Sequence, residues 1–171
     1  MKRVVLGAVV VMAGSASALG AQERPIVWAG TARPSGAVTP GSTVQVELTA
    51  RITDGWHLYS LTQGPGGPIP TRLTMDPGQP FTIATTPQGP HPDDRLDPNF
   101  GIQVQTYDKQ VTFVVPVRVA SSARPGVDTA TVTARYQACT NSLCLPPRVE
   151  RVAVPIRVAG SQARSTQHVS G

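Results

Sequence analysis

Apolar residues recur at every second position in four segments of this 171-residue chain. The alternating apolar positions are Val44, Val46 and Leu48; Val111, Phe113, Val115, Val117 and Val119; Ala130, Val132, Ala134 and Tyr136; and Val152, Val154, Ile156 and Val158. A period of two is typical of a β-strand with one face on a core and one face in water. The 17 prolines and 16 glycines are too frequent for long helices, and no 3.6-residue apolar period follows residue 21. The sequence therefore predicts an all-β domain.

Shorter runs of strand-forming residues lie between these segments. They occupy residues 26–28, 56–60, 71–75, 81–84 and 102–107. Eight or nine short strands separated by turns predict an immunoglobulin-like antiparallel β-sandwich, with a closed barrel as the alternative. The unequal strand lengths and the irregular, proline-rich connection at 87–98 favour the sandwich. Pro116 and Pro155 fall on outward-facing strand positions and lack a ladder donor, which predicts edge strands or bulges.

The two ends of the chain differ from the middle. A basic start, an apolar run at 4–13 and the small residues Ala16-Ser17-Ala18 predict a secretory signal peptide at 1–21. The apolar run is too short for a membrane span, and no later stretch approaches the roughly 20 residues that a span needs. We therefore expect a soluble protein in an oxidising compartment, best matched by a bacterial periplasm. Residues 22–160 form one predicted domain, and the polar segment 161–171 is a predicted disordered tail.

Charge and motifs exclude several classes of function. Without Lys2 and Arg3, the mature chain carries 13 basic and 10 acidic residues. The basic residues are scattered and no aromatic residues alternate with them, so no nucleic-acid partner is expected. The chain has no Gly-x-Ser-x-Gly motif and no phosphate-binding loop, and its three histidines suggest no catalytic triad. No small-molecule substrate is therefore predicted.

The only two cysteines, Cys139 and Cys144, lie five positions apart on a polar segment that ends in Pro146-Pro147. A disulfide ring this small removes little entropy from the unfolded chain, and its stabilisation is about 2 kcal/mol. Such a pair is better suited to opening and closing than to holding a domain together. A structural clip is the first alternative. A zinc site with His57 or His91 is the second, although no second ligand pair has a zinc-like spacing.

Three segments of the sequence resemble a known family. Residues 54–60, the Gly- and Pro-rich turn at 64–71 and the cysteine segment at 136–147 resemble the N-terminal periplasmic domain of the thiol:disulfide interchange protein DsbD. The matches run in the same order from about residue 27 to residue 158. The resemblance implies an immunoglobulin-like domain that receives electrons from a membrane-embedded domain through a thioredoxin-like domain. Its dithiol passes them to periplasmic partners, and no cofactor takes part.

The resemblance also implies roles for individual residues. By position, Cys144 matches the cysteine that forms mixed disulfides with partners, and Cys139 matches the resolving cysteine. Phe100, within the segment 97–101, resembles the tip of a cap loop that shields the pair from stray oxidants and reductants. His57 and Tyr59 fall where family members carry aromatic residues beside the cysteines. His57 departs from the tyrosine expected there, and the cysteine spacing is one residue shorter than in the best-known members.

These observations lead to one functional hypothesis and two alternatives. The hypothesis is a periplasmic module that exchanges thiols and disulfides with thioredoxin-fold partners. Because the chain lacks the other two domains of the family, a separate membrane-embedded thiol reductase is expected to supply its electrons. The alternatives are a non-catalytic binding domain with a structural disulfide and a periplasmic chaperone that uses an edge of the sandwich.

Overall fold

The computed structural model describes residues 23–160. The predicted signal peptide at 1–21 and the predicted tail at 161–171 lie outside the described residues. The described chain is all β, with eleven strands. They are β1 (Ile26–Arg33), β2 (Thr43–Ile52), β3 (His57–Tyr59), β4 (Arg72–Met75), β5 (Phe81–Ile83), β6 (Asp93–Asp97), β7 (Ile102–Tyr107), β8 (Gln110–Val119), β9 (Gly126–Tyr136), β10 (Ala138–Cys139) and β11 (Arg148–Val158). Across residues 23–160, no helix has the length and apolar character needed to cross a bilayer.

The strands form three sheets in which every ladder is antiparallel. Two sheets of longer strands, with the orders β1-β2-β8-β5 and β11-β9-β4, enclose the core. A third sheet, called the small sheet because its strands are short, has the order β10-β3-β7-β6 and adds Leu58, Tyr107 and Ala138 to the same core. This architecture confirms the predicted immunoglobulin-like sandwich.

The alternating apolar residues of the four longest strands form the core. Each apolar position predicted to point inward on β2, β8, β9 and β11 is buried. Trp28 of β1 joins the two sheets, because its ring centroid lies 6.0 Å from that of Phe113 and 5.6 Å from that of Tyr136. Gly30 permits the close approach of β1 to β11, since a Cβ atom there would come within 2.4 Å of Val154 Cγ2. The period of two therefore reports burial correctly along these strands.

Two strands were absent from the sequence prediction. The irregular connection predicted at 87–98 contains β6, which pairs with β7 over its full length. The sequence of β6, Asp-Asp-Arg-Leu-Asp, has no apolar alternation, because the strand lies at a sheet edge where charged residues are favoured. The second is β10, which has only two residues and follows β9 after a single intervening residue. Both belong to the small sheet.

The two strand prolines have different positions. Pro155 lies on β11, an edge strand, as predicted. The prediction is wrong for Pro116, because β8 lies between β2 and β5. The carbonyl of Pro116 accepts a hydrogen bond from Ala84 N at 2.8 Å, and the N and C=O of one antiparallel residue point to the same side. The missing donor of Pro116 therefore faces the chain that follows β5, and the ladder with β2 loses nothing.

Candidate functional site

The short strand β3 is buried on both of its faces. Leu58 lies opposite Ala138 of β10 and Tyr107 of β7, and all three side chains belong to the main core. Because side chains alternate along a strand, His57 and Tyr59 point to the other face of the small sheet. Both are nevertheless buried, so this second face must be covered by other segments.

The strand register shows which residues share that second face. His57 is paired with Cys139 of β10, and Tyr59 is paired with Thr106 of β7. Directly opposed residues of antiparallel strands project to the same side. The set is extended by taking alternate residues along each strand and then the partners given by the β6–β7 register. It comprises Cys139, His57, Tyr59, Thr106, Val104, Ile102, Asp93, Arg95 and Asp97. The candidate site is therefore one face of the small sheet.

The two cysteines close a tight hairpin at the edge of this face. They form a disulfide, with their Cα atoms 4.1 Å apart. Inside the ring, Thr140 N donates to the carbonyl of Leu143 at 2.7 Å, and Thr140 Oγ1 accepts from Leu143 N at 3.0 Å. These hydrogen bonds hold the turn in place independently of the sulfur atoms.

The two cysteines differ in accessibility. Cys139 has no exposed surface and packs with Tyr59 and Val104 in a cluster separate from the main core. Cys144 lies at the margin of that cluster and is only partly buried. Cys144 is therefore the more accessible cysteine of the pair.

A buried hydrogen-bond network lies beside the cysteine cluster. The hydroxyl of Tyr59 donates to Asp97 Oδ2 at 2.5 Å, and His57 Nε2 lies 3.0 Å from the same hydroxyl oxygen. His57 Nε2 is also 3.6 Å from Asp97 Oδ2. The second carboxylate oxygen, Asp97 Oδ1, accepts from Asn99 N at 2.8 Å. The network thus joins strands β3 and β6 through three buried side chains.

The pKa directions fix the charges in this network. Burial, assisted by the hydrogen bond to Asp97, raises the pKa of Tyr59. Burial alone would raise the pKa of Asp97, but hydrogen bonds from Tyr59 and Asn99 outweigh it and the pKa is lowered. Burial, assisted by the positive charge of Arg95, lowers the pKa of His57 despite the opposing effect of Asp97. At neutral pH, Asp97 is an anion, while Tyr59 and His57 are uncharged.

The lowered pKa of His57 predicts a stability change on acidification. In the unfolded chain His57 titrates near 6.5, so below that pH the unfolded state binds more protons than the folded state. The free energy of unfolding should therefore fall from about pH 6.5 downward, by at most about 1.4 kcal/mol per pH unit. Urea denaturation between pH 7.5 and 5.5 measures this slope.

The matched variants for this measurement are His57→Gln and His91→Gln. His57→Gln should lose the slope, because its amide can still donate to Tyr59 but does not titrate. His91 is exposed, and its replacement should leave the slope as in the wild type. An equal slope in His57→Gln and the wild type would contradict the prediction.

Phe100 lies in the turn between β6 and β7, and its side chain is 38% exposed. The turn is closed by a hydrogen bond from Gly101 N to the carbonyl of Asp97 at 2.7 Å. Gly101 has φ +68°, a left-handed conformation that glycine adopts readily. Asn99 Nδ2 donates to the carbonyl of Thr140 at 2.8 Å, inside the disulfide ring. The loop that carries Phe100 is therefore attached to the cysteine hairpin.

The Gly- and Pro-rich turn at 64–71 approaches the same face. A Cβ atom on Gly67 would lie 2.5 Å from Ile102 Cδ1, so the turn packs directly on the margin of the cysteine cluster. Gln137 joins the turn to the hairpin, accepting from Ile69 N and donating to the carbonyl of Leu145, each at 3.2 Å. The three segments that carry the family resemblance thus meet in space.

The sequence had not identified Asp97 and Arg95 as site residues. Asp97 begins the 97–101 segment, whose Asp-Pro-Asn sequence indicates a turn, but nothing in that sequence shows that its carboxylate is buried under Tyr59. Arg95 lies two residues earlier on the same face and donates from Nη1 to Asp108 Oδ2 at 3.3 Å.

A polar pocket of about 300 Å³ lies beside Arg95 and Asp108. Its lining residues are Asp54, Gly55, Trp56, His57, Arg95, Asp108, Lys109 and Asn141.

Comparison with known proteins assigns this arrangement to a class. The family model described as "Thiol:disulfide interchange protein DsbD, N-terminal" matches residues 28–156. The disulfide and the family match together support a thiol–disulfide exchange module. The chain belongs to the family of DsbD N-terminal domains.

One solved structure is similar to this chain. The structure is the N-terminal periplasmic domain of ScsB from Proteus mirabilis, with 18% sequence identity and a TM-score of 0.47. The match covers 80% of this chain and 48% of that chain, so this chain spans about half the length of the solved structure. No curated protein matches the chain.

Proposed function

We propose that this protein is a periplasmic module whose Cys139–Cys144 dithiol reduces the disulfide of a thioredoxin-fold partner. The observation that carries the proposal is the asymmetry of the pair, with Cys139 fully buried and Cys144 at the rim. A partner sulfur can reach the partly exposed Cys144, whereas Cys139 is covered by Tyr59 and Val104. This asymmetry supports attack by Cys144 and resolution by Cys139.

The proposed reaction has two exchange steps. In the reduced protein the Cys144 thiolate attacks the partner disulfide, forms a mixed disulfide and displaces one partner thiolate. The Cys139 thiolate then attacks Cys144 Sγ, which releases the second partner thiolate and closes the Cys139–Cys144 bond. Two electrons pass to the partner, and the two thiols of this protein supply the two protons that the partner thiols require. A membrane-embedded thiol reductase is proposed to restore the dithiol.

Phe100 is proposed to act as a cap over this pair. An exchange-active disulfide in an oxidising compartment needs protection from small thiols, while a partner protein must still gain access. The tie between Asn99 and Thr140 holds the loop beside the hairpin, and a single hydrogen bond at an exposed site can be broken by a docking protein. Partial exposure of the Phe100 ring supports contact with such a partner.

The cap predicts that Phe100→Ala accelerates the reaction of the oxidised protein with reduced glutathione. We expect a several-fold higher rate, because removal of the ring opens the path to Cys144. Quenched-flow trapping followed by mass spectrometry measures it. Leu96→Ala is the matched control, since Leu96 is exposed on the neighbouring strand β6 and its rate should stay at the wild-type value. If Phe100→Ala reacted at the wild-type rate, the proposed cap would be contradicted.

The experiment that tests the proposed function is reduction of the folded protein. Mild reductant should open the disulfide while the β-sheet circular dichroism signal stays, with a loss of at most about 2 to 3 kcal/mol in the free energy of unfolding. We expect the fold to survive reduction because hydrogen bonds inside the ring hold the hairpin and because the main core is separate from the cysteines. A reduced protein that is unfolded at room temperature would show a structural clip instead.

A further inference from the structure

His57 has no part in the exchange steps described above, yet it lies directly beside the resolving cysteine. It is the cross-strand partner of Cys139 in the β3–β10 ladder. Side chains in such a pair share one face, with Cβ atoms about 4.5 to 5.5 Å apart. His57 is also the position at which this chain departs from the tyrosine expected by resemblance. An imidazole can accept a proton near neutral pH, whereas a phenol cannot.

The hydrogen-bond network determines which nitrogen of His57 carries its proton. Tyr59 has a single hydroxyl proton, and the carboxylate of Asp97 can only accept, so Tyr59 donates to Asp97. The 3.0 Å contact between His57 Nε2 and the Tyr59 oxygen must then be a donation from Nε2. In the uncharged ring this leaves Nδ1 with a free lone pair. Among residues 23–160, Nδ1 accepts no hydrogen bond.

The resolving step needs a proton acceptor at this place. Cys139 is fully buried against Tyr59 and Val104, and a thiol in apolar surroundings ionises less readily than one in water. Only the thiolate attacks a disulfide. Asp97 is poorly placed to take the proton, because each of its carboxylate oxygens already accepts a hydrogen bond. His57, the cross-strand partner of Cys139, carries the remaining basic atom, Nδ1.

We propose that His57 Nδ1 accepts the proton of the Cys139 thiol as Cys139 attacks Cys144 Sγ, and then gives it to the partner thiolate that leaves. The inference rests on the proposed two-step exchange. One S–S bond breaks and one forms, and the proton passes from Cys139 through the imidazole to the departing thiol. The short-lived imidazolium is stabilised by Asp97, whose Oδ2 lies 3.6 Å from Nε2.

Charged and titratable groups from several segments surround the ring of His57. They are Tyr59 on β3, Asp97 and Arg95 on β6, Asp54 before β3, and Asp108 and Lys109 between β7 and β8. Arg95 disfavours the imidazolium, whereas Asp97 and Asp108 favour it. Burial, assisted by the charge of Arg95, keeps the ring uncharged at rest, and the two carboxylates help it to hold a proton during the reaction.

Reaction of the reduced protein with glutathione disulfide separates the two steps. Rapid acid quenching and mass spectrometry follow the mixed disulfide on Cys144 as it forms and as Cys139 resolves it. In His57→Phe, formation should match the wild type within about twofold. Resolution should be slower by on the order of 100-fold between pH 6.5 and 7.5. The difference should shrink as the pH rises, because hydroxide can then take the proton of the thiol directly.

Two further variants test the role of the base. His57→Tyr keeps an aromatic side chain without a basic nitrogen and should behave as His57→Phe does, while His91→Phe should behave as the wild type. Unchanged resolution in His57→Phe would overturn the inference. So would slowing by the same factor at every pH, which would show a purely structural role. Wild-type protein that never resolves the mixed disulfide would overturn it as well.

The tautomer can be observed without any variant. Long-range ¹H–¹⁵N spectra of the wild-type protein at pH 7.5 should show His57 protonated at Nε2 and unprotonated at Nδ1. A proton on Nδ1 would contradict the inference. The glutathione probe also keeps this inference apart from the proposed function. Suppose that His57 is needed for resolution with glutathione but no exchange with thioredoxin-fold proteins is found. That result would contradict the proposed partner and still support the proposed role of His57.

Discussion

Cys139→Ala should accumulate mixed disulfides with thioredoxin-fold proteins, and Cys144→Ala should accumulate none. The reason is the difference in burial, since Cys144 lies at the rim and Cys139 under Tyr59 and Val104. Without Cys139, the mixed disulfide on Cys144 cannot be resolved and persists. Affinity purification of each reduced variant from a periplasmic extract, followed by non-reducing electrophoresis and mass spectrometry, measures the trapped adducts.

Two controls accompany the comparison of the two cysteine variants. The double variant without either cysteine should trap nothing, and circular dichroism should show the same folded sheet in all three variants. Adducts on Cys144→Ala in place of Cys139→Ala would reverse the assignment. Adducts on neither folded variant would argue against exchange with such partners.

Phe113→Ala should lower the free energy of unfolding by about 3 to 5 kcal/mol. The ring has no exposed surface and contacts Trp28 of β1 and Tyr107 of β7, with centroids 6.0 and 5.6 Å away. Truncation therefore leaves a cavity between the β1-β2-β8-β5 sheet and the small sheet. Urea denaturation of the oxidised protein measures the loss.

Val114→Ala is the matched control for the core variant. Val114 is the next residue on β8 but points outward and is 36% exposed, so its truncation should cost less than about 1 kcal/mol. Equal losses in the two variants would mean that the side of the strand facing the core has been assigned wrongly. A large loss in Phe113→Ala should also disturb the small sheet, because Tyr107 belongs to β7.

The sequence predicts most of the sandwich because burial on one face of a strand imposes a period of two. Strands β2, β8, β9 and β11 carry that period clearly, and their predicted inward residues are all buried. Strand β6 carries no such pattern, because charged residues are tolerated on an edge strand and its pairing with β7 is a backbone interaction. The edge position predicted for Pro116 is wrong. The side to which its missing donor points depends on how the strands pair, and the sequence does not show that pairing.

The site was predictable in part. The disulfide pair and the nearby positions of His57 and Tyr59 came from the cysteine spacing and from resemblance, and the structure brings all four residues to one face. The buried role of Asp97 could not be predicted, because it depends on a β6–β7 register that carries no apolar signal. The tautomer of His57 depends on Asp97 and Tyr59 together, so it too required the structure.

The central claim is that the Cys139–Cys144 disulfide exchanges electrons and does not merely clip a hairpin. Its reduction potential tests this claim most directly. Equilibration of the folded protein with defined thiol–disulfide buffers, followed by acid quenching and mass spectrometry of the two forms, gives the value. We expect a potential well above about −300 mV, and a potential below that value, in the range of structural disulfides, would contradict exchange.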